Sequence, residues 1–356
     1  MTKSQNLQTD PRQPDLCCHY AGLSLRNPLI VAAGPLTSDP DKVAGLAQEG
    51  AGAIVLHSLF EEDSGQISPD RLYDRNMDEH TEAYDYIRET GKMMESEQYM
   101  DILADARRRT DTPIIASLDG RDPAWWQDCV FGLERAGASA IELNLDTLQL
   151  NPNRTHRQAL REEQRTEKEL VKALTASTSE LKIPLTLKIP PHMANALPRL
   201  SRLAQTGIRG MVYFNRYCLP DIDLKHMTFQ PGPETSQPIE FYTPLRYLAL
   251  HCSMLQRAPR KDPENKYHCD LALSGGVHYG SQIMKALLVG ASAIQVCSAL
   301  MQRGSSRIAT LLDELIQSMQ QMDIFSLAQL RDRYHLQNDP KFLEQFRRLR
   351  HNQTRR

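Results

Sequence analysis

The 356-residue chain contains no uninterrupted apolar run approaching the roughly 18 residues that a membrane-spanning helix requires. Its opening stretch, MTKSQNLQTDPRQPD, is polar and lacks the apolar core of a secretory leader. These two absences point to a cytoplasmic protein with no membrane partner. An excess of one charge is also missing, since 42 Lys and Arg against 44 Asp and Glu leave a net charge of −2. A duplex-binding surface needs surplus cations to displace counterions, so nucleic acid is not an expected partner. The one biased stretch is C-terminal, where Lys341, Arg347, Arg348, Arg350, Arg355 and Arg356 outnumber Glu344, a pattern that suits a solvated tail. The seven cysteines, at 17, 18, 129, 218, 252, 269 and 297, form no C-x-x-C pair and no Cys/His spacing suited to zinc. No metal site is expected, and a chain without a cysteine cluster has no iron–sulfur centre of its own. Any electrons it handles must pass through an organic cofactor or a partner.

What is present is a repeat. Four segments share a Gly, a short gap and an apolar run ending in a polar residue: AGAIVLHS (51–58), GASAIELN (137–144), GIRGMVYFN (207–215) and GASAIQVCS (290–298). Each follows an amphipathic stretch, which predicts a helix ending at glycine and a buried strand after it. Four further apolar runs lie between them, at 27–34, 112–120, 183–191 and 270–276. Continuous rather than alternating apolar runs imply burial on both faces, hence a parallel sheet covered by helices. Eight such units predict a (β/α)8 TIM barrel. The competing doubly wound sheet calls for a G-x-G-x-x-G turn after the first strand, and the chain has Ala32-Ala33-Gly34-Pro35 there. The expected organisation is a flexible segment over 1–20, a barrel over 21–320 and a basic helical extension over 321–356. Insertions are expected after the second strand, at 60–95, and after the sixth, at 216–240.

Barrel active sites are built where the strands end, on the C-terminal face. Those positions hold Ala33 and Gly34, His57 and Ser58, Ser117, Asn144, Lys188, Asn215, Ser274 with Gly275 and Gly276, then Cys297 and Ser298. The glycine pair and the small residues after the last strand leave backbone N–H groups able to approach a phosphate. Lys188 closes an apolar strand and is costly to bury without a negative partner; beside a ring that gains negative charge on reduction, it stabilises the reduced form. Asn144 and Asn215 offer amides suited to the polar edge of a heterocycle, although either alone is equally a satisfied structural amide.

These residues resemble the dihydroorotate dehydrogenases and their less characterised relatives over most of 20–320. The matching pieces are GLSLRNPLIVAAG, GAIVLHSLFEE, AIELN, LTLKIPP, VYFNRYCLPDID and SGGVHYGSQIMKALLVGASAIQVCSALMQRG, the last being the most specific. The resemblance implies FMN as cofactor, a role in pyrimidine biosynthesis, and a family habit of forming homodimers. It implies that Ala33, Gly34 and Ser58 border the flavin, that Lys188 stands near its N1/C2=O edge, and that Asn144 and Asn215 hydrogen-bond around ring and substrate. Ser274, Gly275, Gly276, Cys297 and Ser298 are then the phosphate site.

The chain departs from that family where the substrate is held. After strand four the family reads N-L-S-C-P-N, with the Cys, or a Ser in its place, acting as base. Here the stretch is Asn144-Leu145-Asp146-Thr147-Leu148-Gln149, which puts Thr147 at the base position and Gln149 at that of the second amide. A hydroxyl relays a proton only with help, and Asp146 next to it has the more suitable pKa. A family Lys after strand two is His57 here, read either as a charge or acid/base group near the flavin or as a residue satisfied by its insertion. Arg216 is a candidate anion anchor, for a substrate carboxylate or the FMN phosphate, and equally an ordinary loop arginine. Three classes stay open: an FMN-dependent oxidoreductase passing electrons to an unidentified acceptor, a flavin-binding or cofactor-free accessory protein, and a lyase or isomerase using Lys188 as base.

Overall fold

The computed structural model describes residues 13–61, 96–120, 123–145, 155–193, 196–216, 219–257 and 269–333, together with 341 and 344. Its first element is a tight hairpin in which Cys18–Tyr20 (β1) and Leu23–Leu25 (β2) pair antiparallel. Ala21 and Gly22 between them take positive φ, 52° and 83°, the backbone that a two-residue hairpin turn demands. After it come Leu29–Val31 (β3), Pro40–Gln48 (α1), Ala53–Val55 (β4) and Leu59–Phe60 (β5). Next are Ser96–Arg109 (α2), Ile114–Asp119 (β6), Pro123–Arg135 (α3), Ala140–Asn144 (β7), His156–Glu180 (α4), Leu185–Ile189 (β8), Ala196–Leu203 (α5) and Gly210–Tyr213 (β9). A second hairpin, Pro220–Asp223 (β10) and Thr228–Pro231 (β11), precedes Tyr242–Arg257 (α6). The chain continues through Asp270–Ser274 (β12), Gly280–Leu288 (α7), Ala293–Val296 (β13), Ser298–Arg303 (α8), Arg307–Gln321 (α9) and Leu327–Arg333 (α10).

Eight of these strands close on themselves in the order β3, β4, β6, β7, β8, β9, β12, β13 and back to β3, every pairing parallel. This is the expected TIM barrel, with helices between strands. Every residue of β3, β4, β7, β8, β9 and β13 is buried, which is why their sequences run apolar instead of alternating. The four repeats share one device. Gly50, Gly137, Gly207 and Gly290 all have φ between 93° and 111°, so each ends its helical turn in a backbone only glycine adopts cheaply and redirects the chain into a strand. Helix starts are written as plainly: Asp39 caps α1 by accepting from the N–H groups of Asp41 and Lys42, and Thr155 with Gln158 forms a capping box on α4.

Leu16, Cys18 and Tyr20, within the stretch that the sequence assigned to a flexible 1–20 segment, are buried. The cause is mutual support between the chain ends. Asp15 donates its N–H to the carbonyl of Phe325 at 2.9 Å and accepts from the N–H of Leu327 at 3.2 Å, while Leu327 and Leu330 of α10 are buried. The insertion after β9 holds the β10–β11 hairpin, and Phe60, expected to open the other insertion, extends the sheet with Leu59 as β5 alongside β6. Residues 62–95 of that insertion and the basic residues from Arg347 onward lie outside the described residues. Among the described residues no helix is long and apolar enough to cross a membrane.

Behind β9, His251 of α6 is fully buried between the Tyr213 hydroxyl, at its Nδ1, and Ser201, 3.5 Å from its Nε2. The Tyr213 hydroxyl donates to the neutral ring. Burial pushes the imidazole pKa down from 6.5 to about 4. A histidine whose folded pKa is depressed opposes folding once the unfolded chain binds the proton more tightly, so stability falls as pH drops from 6.5 toward 4 and levels off below. The loss amounts to about 3 kcal/mol. Urea denaturation at pH 7 and pH 4.5 is expected to show this loss, and His251→Gln to remove that share of it.

Candidate active site

Side chains alternate along a strand, so Glu142 and Asn144 of β7 share one face, as do Thr186 and Lys188 of β8. The register sets Thr186 beside Glu142 and Lys188 beside Asn144. The two strands thus build two layers, with Asn144 and Lys188 in the one nearer the mouth. Lys188 is 5% exposed, and its ammonium reaches back to a carboxylate oxygen of Glu142 at 3.4 Å. The other carboxylate oxygen accepts from the amide of Gln295 on β13. The negative partner that the lysine required is therefore Glu142, 1% exposed. Neither Glu142 nor Gln295 was singled out from the sequence. The available signal was a polar residue inside an apolar repeat, each two positions before a strand-end residue, Asn144 or Cys297.

Asn144 stands at the centre of a second cluster. Its amide donates to the hydroxyls of Ser58, at 3.1 Å, and Ser117, at 3.3 Å, which are themselves 2.8 Å apart. The backbone N–H of Ser117 donates to the Tyr99 hydroxyl at 2.9 Å, fixing β6 against α2. With both amide hydrogens spent, the buried Oδ1 of Asn144 has no hydrogen-bond donor among the described residues. A buried, unmatched acceptor costs about 1–3 kcal/mol, and a ring N–H placed there removes that cost.

Ala33, Gly34, His57 and Cys297 come together on the adjoining wall. A Cβ on Gly34 would stand 2.8 Å from the Cys297 sulfur, so only glycine fits beside that thiol. Burial raises the Cys297 pKa, against the pull of the Lys188 and Arg216 charges, and the thiol stays protonated. Burial lowers the His57 pKa, a backbone hydrogen bond to Gly34 opposing it. The ring is consequently neutral at pH 7 and supplies no positive charge to the mouth, in contrast to one of the two roles read for it from the sequence.

The phosphate end differs from expectation. Gly275 (φ 100°) and Gly276 (φ 68°) take the left-handed backbone foreseen for a cradle, but the N–H of Gly276 donates to the Ser236 hydroxyl at 3.1 Å. Ser298 is engaged from the same side, its hydroxyl accepting from the Ser236 N–H at 2.9 Å. His278 Nε2 donates to the Ser236 carbonyl at 2.8 Å. Ser236, in the insertion after β9 and 2% exposed, was not foreseen. Arg216 is likewise spent: its terminal nitrogens donate to the carbonyls of Glu234 and Pro233 at 2.8 and 2.6 Å, and its Nε is 3.7 Å from Glu240. It secures the insertion and also lines the cavity there. Asn215 and Ser274 line an open cavity with Pro191, His192, Phe214 and Gly275. The Asn215 carbonyl oxygen is taken by the N–H of Arg216 at 3.1 Å. Thr147, Gln149 and Asp146 lie outside the described residues.

No protein-family model matches the chain. Comparison with curated proteins finds a chloroplastic dihydropyrimidine dehydrogenase (NADP(+)) of Arabidopsis thaliana, 22% identical over 90% of this chain and 76% of that protein. It also finds a putative dihydroorotate dehydrogenase A (fumarate) of Aeropyrum pernix, 24% identical over 85% of this chain and 91% of that protein. A catalytic subunit of dihydroorotate dehydrogenase B (NAD(+)) from Methanocella arvoryzae is 28% identical over 59% of this chain and 64% of its own length. The chain is thus similar to dihydroorotate and dihydropyrimidine dehydrogenases, which are oxidoreductases, and the resemblance seen in the strand-end motifs extends over most of the barrel.

Gly275 and Gly276 are expected to respond differently to substitution. A Cβ on Gly276 would lie 2.2 Å from the Phe241 backbone nitrogen, whereas nothing stands within 4 Å of one on Gly275. Gly275→Ala should cost about 1–2 kcal/mol from backbone conformation alone. Gly276→Ala should cost clearly more, because the backbone before α6 must move as well. Chemical denaturation of the two variants measures the difference.

Proposed function

We propose that the protein is an FMN-dependent oxidoreductase that passes a hydride between flavin and a small planar or carboxylate-bearing substrate, dihydroorotate or a related dihydropyrimidine. The observation that carries this reading is the buried Oδ1 of Asn144, without a donor among the described residues, one strand away from the ammonium of Lys188. An acceptor beside a cation suits a heterocycle with an N–H edge that gains negative charge. The rest of the mouth agrees in part. Ala33 and Gly34 offer small residues to a ring face, and Gly275 leaves open space at the phosphate end. The Gly276 N–H and the Ser298 hydroxyl are held by Ser236, whose hydroxyl has the acceptor chemistry of a phosphate oxygen.

When bound, FMN supplies a ring that takes up or releases hydride. Lys188 and Asn144 hold and orient its polar edge. Gly275, Gly276, Cys297 and Ser298 receive the phosphate once Ser236 gives way. His57, neutral, is suited to accept a proton and not to supply charge. Thr147 occupies the base position that the family resemblance identifies. A second reading, a flavin-binding accessory protein, is favoured by Thr147 and Gln149 standing where related dehydrogenases carry their base and second amide. The electron acceptor, a cytoplasmic location and a homodimer belong to the proposal on the same terms.

Purified protein reconstituted with FMN is expected to be yellow, with one flavin per chain, and to bleach on anaerobic addition of dihydroorotate or a dihydropyrimidine. Lys188→Ala is expected to slow that bleaching at least about 100-fold, the scale of losing one transition-state electrostatic contact. Protein that stays colourless and takes up no FMN contradicts the proposal, and yellow protein that no dihydropyrimidine bleaches favours the accessory reading. Ser236→Ala frees one N–H donor worth about 1 kcal/mol, so FMN should bind about fivefold more tightly to it than to the parent. Fluorescence titration measures that ratio.

A further inference from the structure

We infer that Glu142 is a positioning residue that sets, through Lys188, how much positive charge reaches the barrel mouth. The inference rests on reading that mouth as a flavin site. In the closed order of eight strands, β7 and β13 stand four steps apart, diametrically opposite. The hydrogen bond from Gln295 to Glu142 therefore crosses the barrel and places the carboxylate near its axis, beneath the mouth. Gln295, 1% exposed, fixes one carboxylate oxygen and leaves the other to the ammonium at 3.4 Å. Lys188 is rooted one layer above Glu142, so its charge is shared between the acid below and whatever occupies the mouth above.

The surrounding groups add little charge of their own. Tyr20, Tyr99 and Cys297 are kept protonated by burial, and His57 is kept neutral. Arg216 is offset by Glu240 at 3.7 Å. Hydride transfer to flavin adds two electrons and one proton, leaving one net negative charge on the ring. A fully available ammonium stabilises that charge, and an ammonium already paired stabilises it less. Glu142 thus holds the flavin potential below the value Lys188 alone would give, and it keeps the lysine paired and aimed while no ring is present.

The test uses the FMN-loaded full chain. Glu142→Gln keeps the shape and removes the charge. It should raise the flavin reduction potential, with sulfite, which adds to electron-poor flavins, binding at least tenfold more tightly; a tenfold change in the two-electron equilibrium is about 30 mV. In a Lys188→Gln background the same change should have no further effect. Bound flavin with unchanged potential and sulfite affinity, or an equal shift without the lysine, overturns the inference. If Glu142→Gln does not fold, Glu142→Asp, which retracts the carboxylate by one methylene, should shift the potential the same way by less, and no shift overturns the inference. Failure of the parent chain to bind FMN at all overturns the flavin reading and this inference with it.

Discussion

A lysine at the mouth of a closed barrel has to be paired, and much of the interior is arranged around that need. Lys188 leaves an apolar strand at 5% exposure, where an unpaired ammonium is too costly to keep charged. Glu142 answers it from the neighbouring strand and Gln295 answers Glu142 from the opposite side of the barrel. Three strands of distant sequence are tied together by one polar layer within an otherwise apolar core. Such a layer stabilises little relative to hydrocarbon, but breaking it by removing one partner costs about 3–5 kcal/mol. It also leaves a cation at the C-terminal end of β8, beside Asn144. The energetic constraint and the chemistry of the mouth are therefore the same arrangement.

Above that layer the mouth divides into two halves. The half built from β4, β6 and β7 is set: Ser58, Ser117 and Asn144 satisfy one another and leave a single buried acceptor over. The other half, between β9, β12 and the insertion, is closed by the chain itself, with Ser236 lying across the glycine turn and Arg216 holding the residues before it. On the proposed reading, ring recognition lies on barrel strands and the phosphate end depends on a segment outside them. Strand-borne groups vary little in position, whereas loops admit change.

The barrel was legible in the sequence because its signals are local and repeated. Gly50, Gly137, Gly207 and Gly290 mark the turns into strands, and the uninterrupted apolar runs after them mark burial on both faces. The strand-end positions followed from counting, and Ser58, Asn144, Lys188, Gly34 and Cys297 do meet at one mouth. Glu142 and Gln295 escaped because a polar residue within a strand shows which face it lies on only once the register is known, and their meeting depends on barrel closure. Ser236 escaped for a different reason. An exposed-looking ETSQP stretch in an insertion carries no signal that it will fold back over a glycine turn 40 residues further on. The partners of Arg216 in that insertion were hidden on the same ground, since they are carbonyls, which sequence does not distinguish.

The central claim is that the acceptor left over on Asn144 and the paired ammonium of Lys188 form a flavin site. Equilibrium titration of FMN fluorescence with the parent chain and with Asn144→Leu tests it most directly. The account predicts saturable quenching at one flavin per chain for the parent and a loss of affinity of at least about tenfold for the variant, with both proteins equally folded by circular dichroism. Equal affinity for the two proteins, or no quenching by the parent, would contradict it.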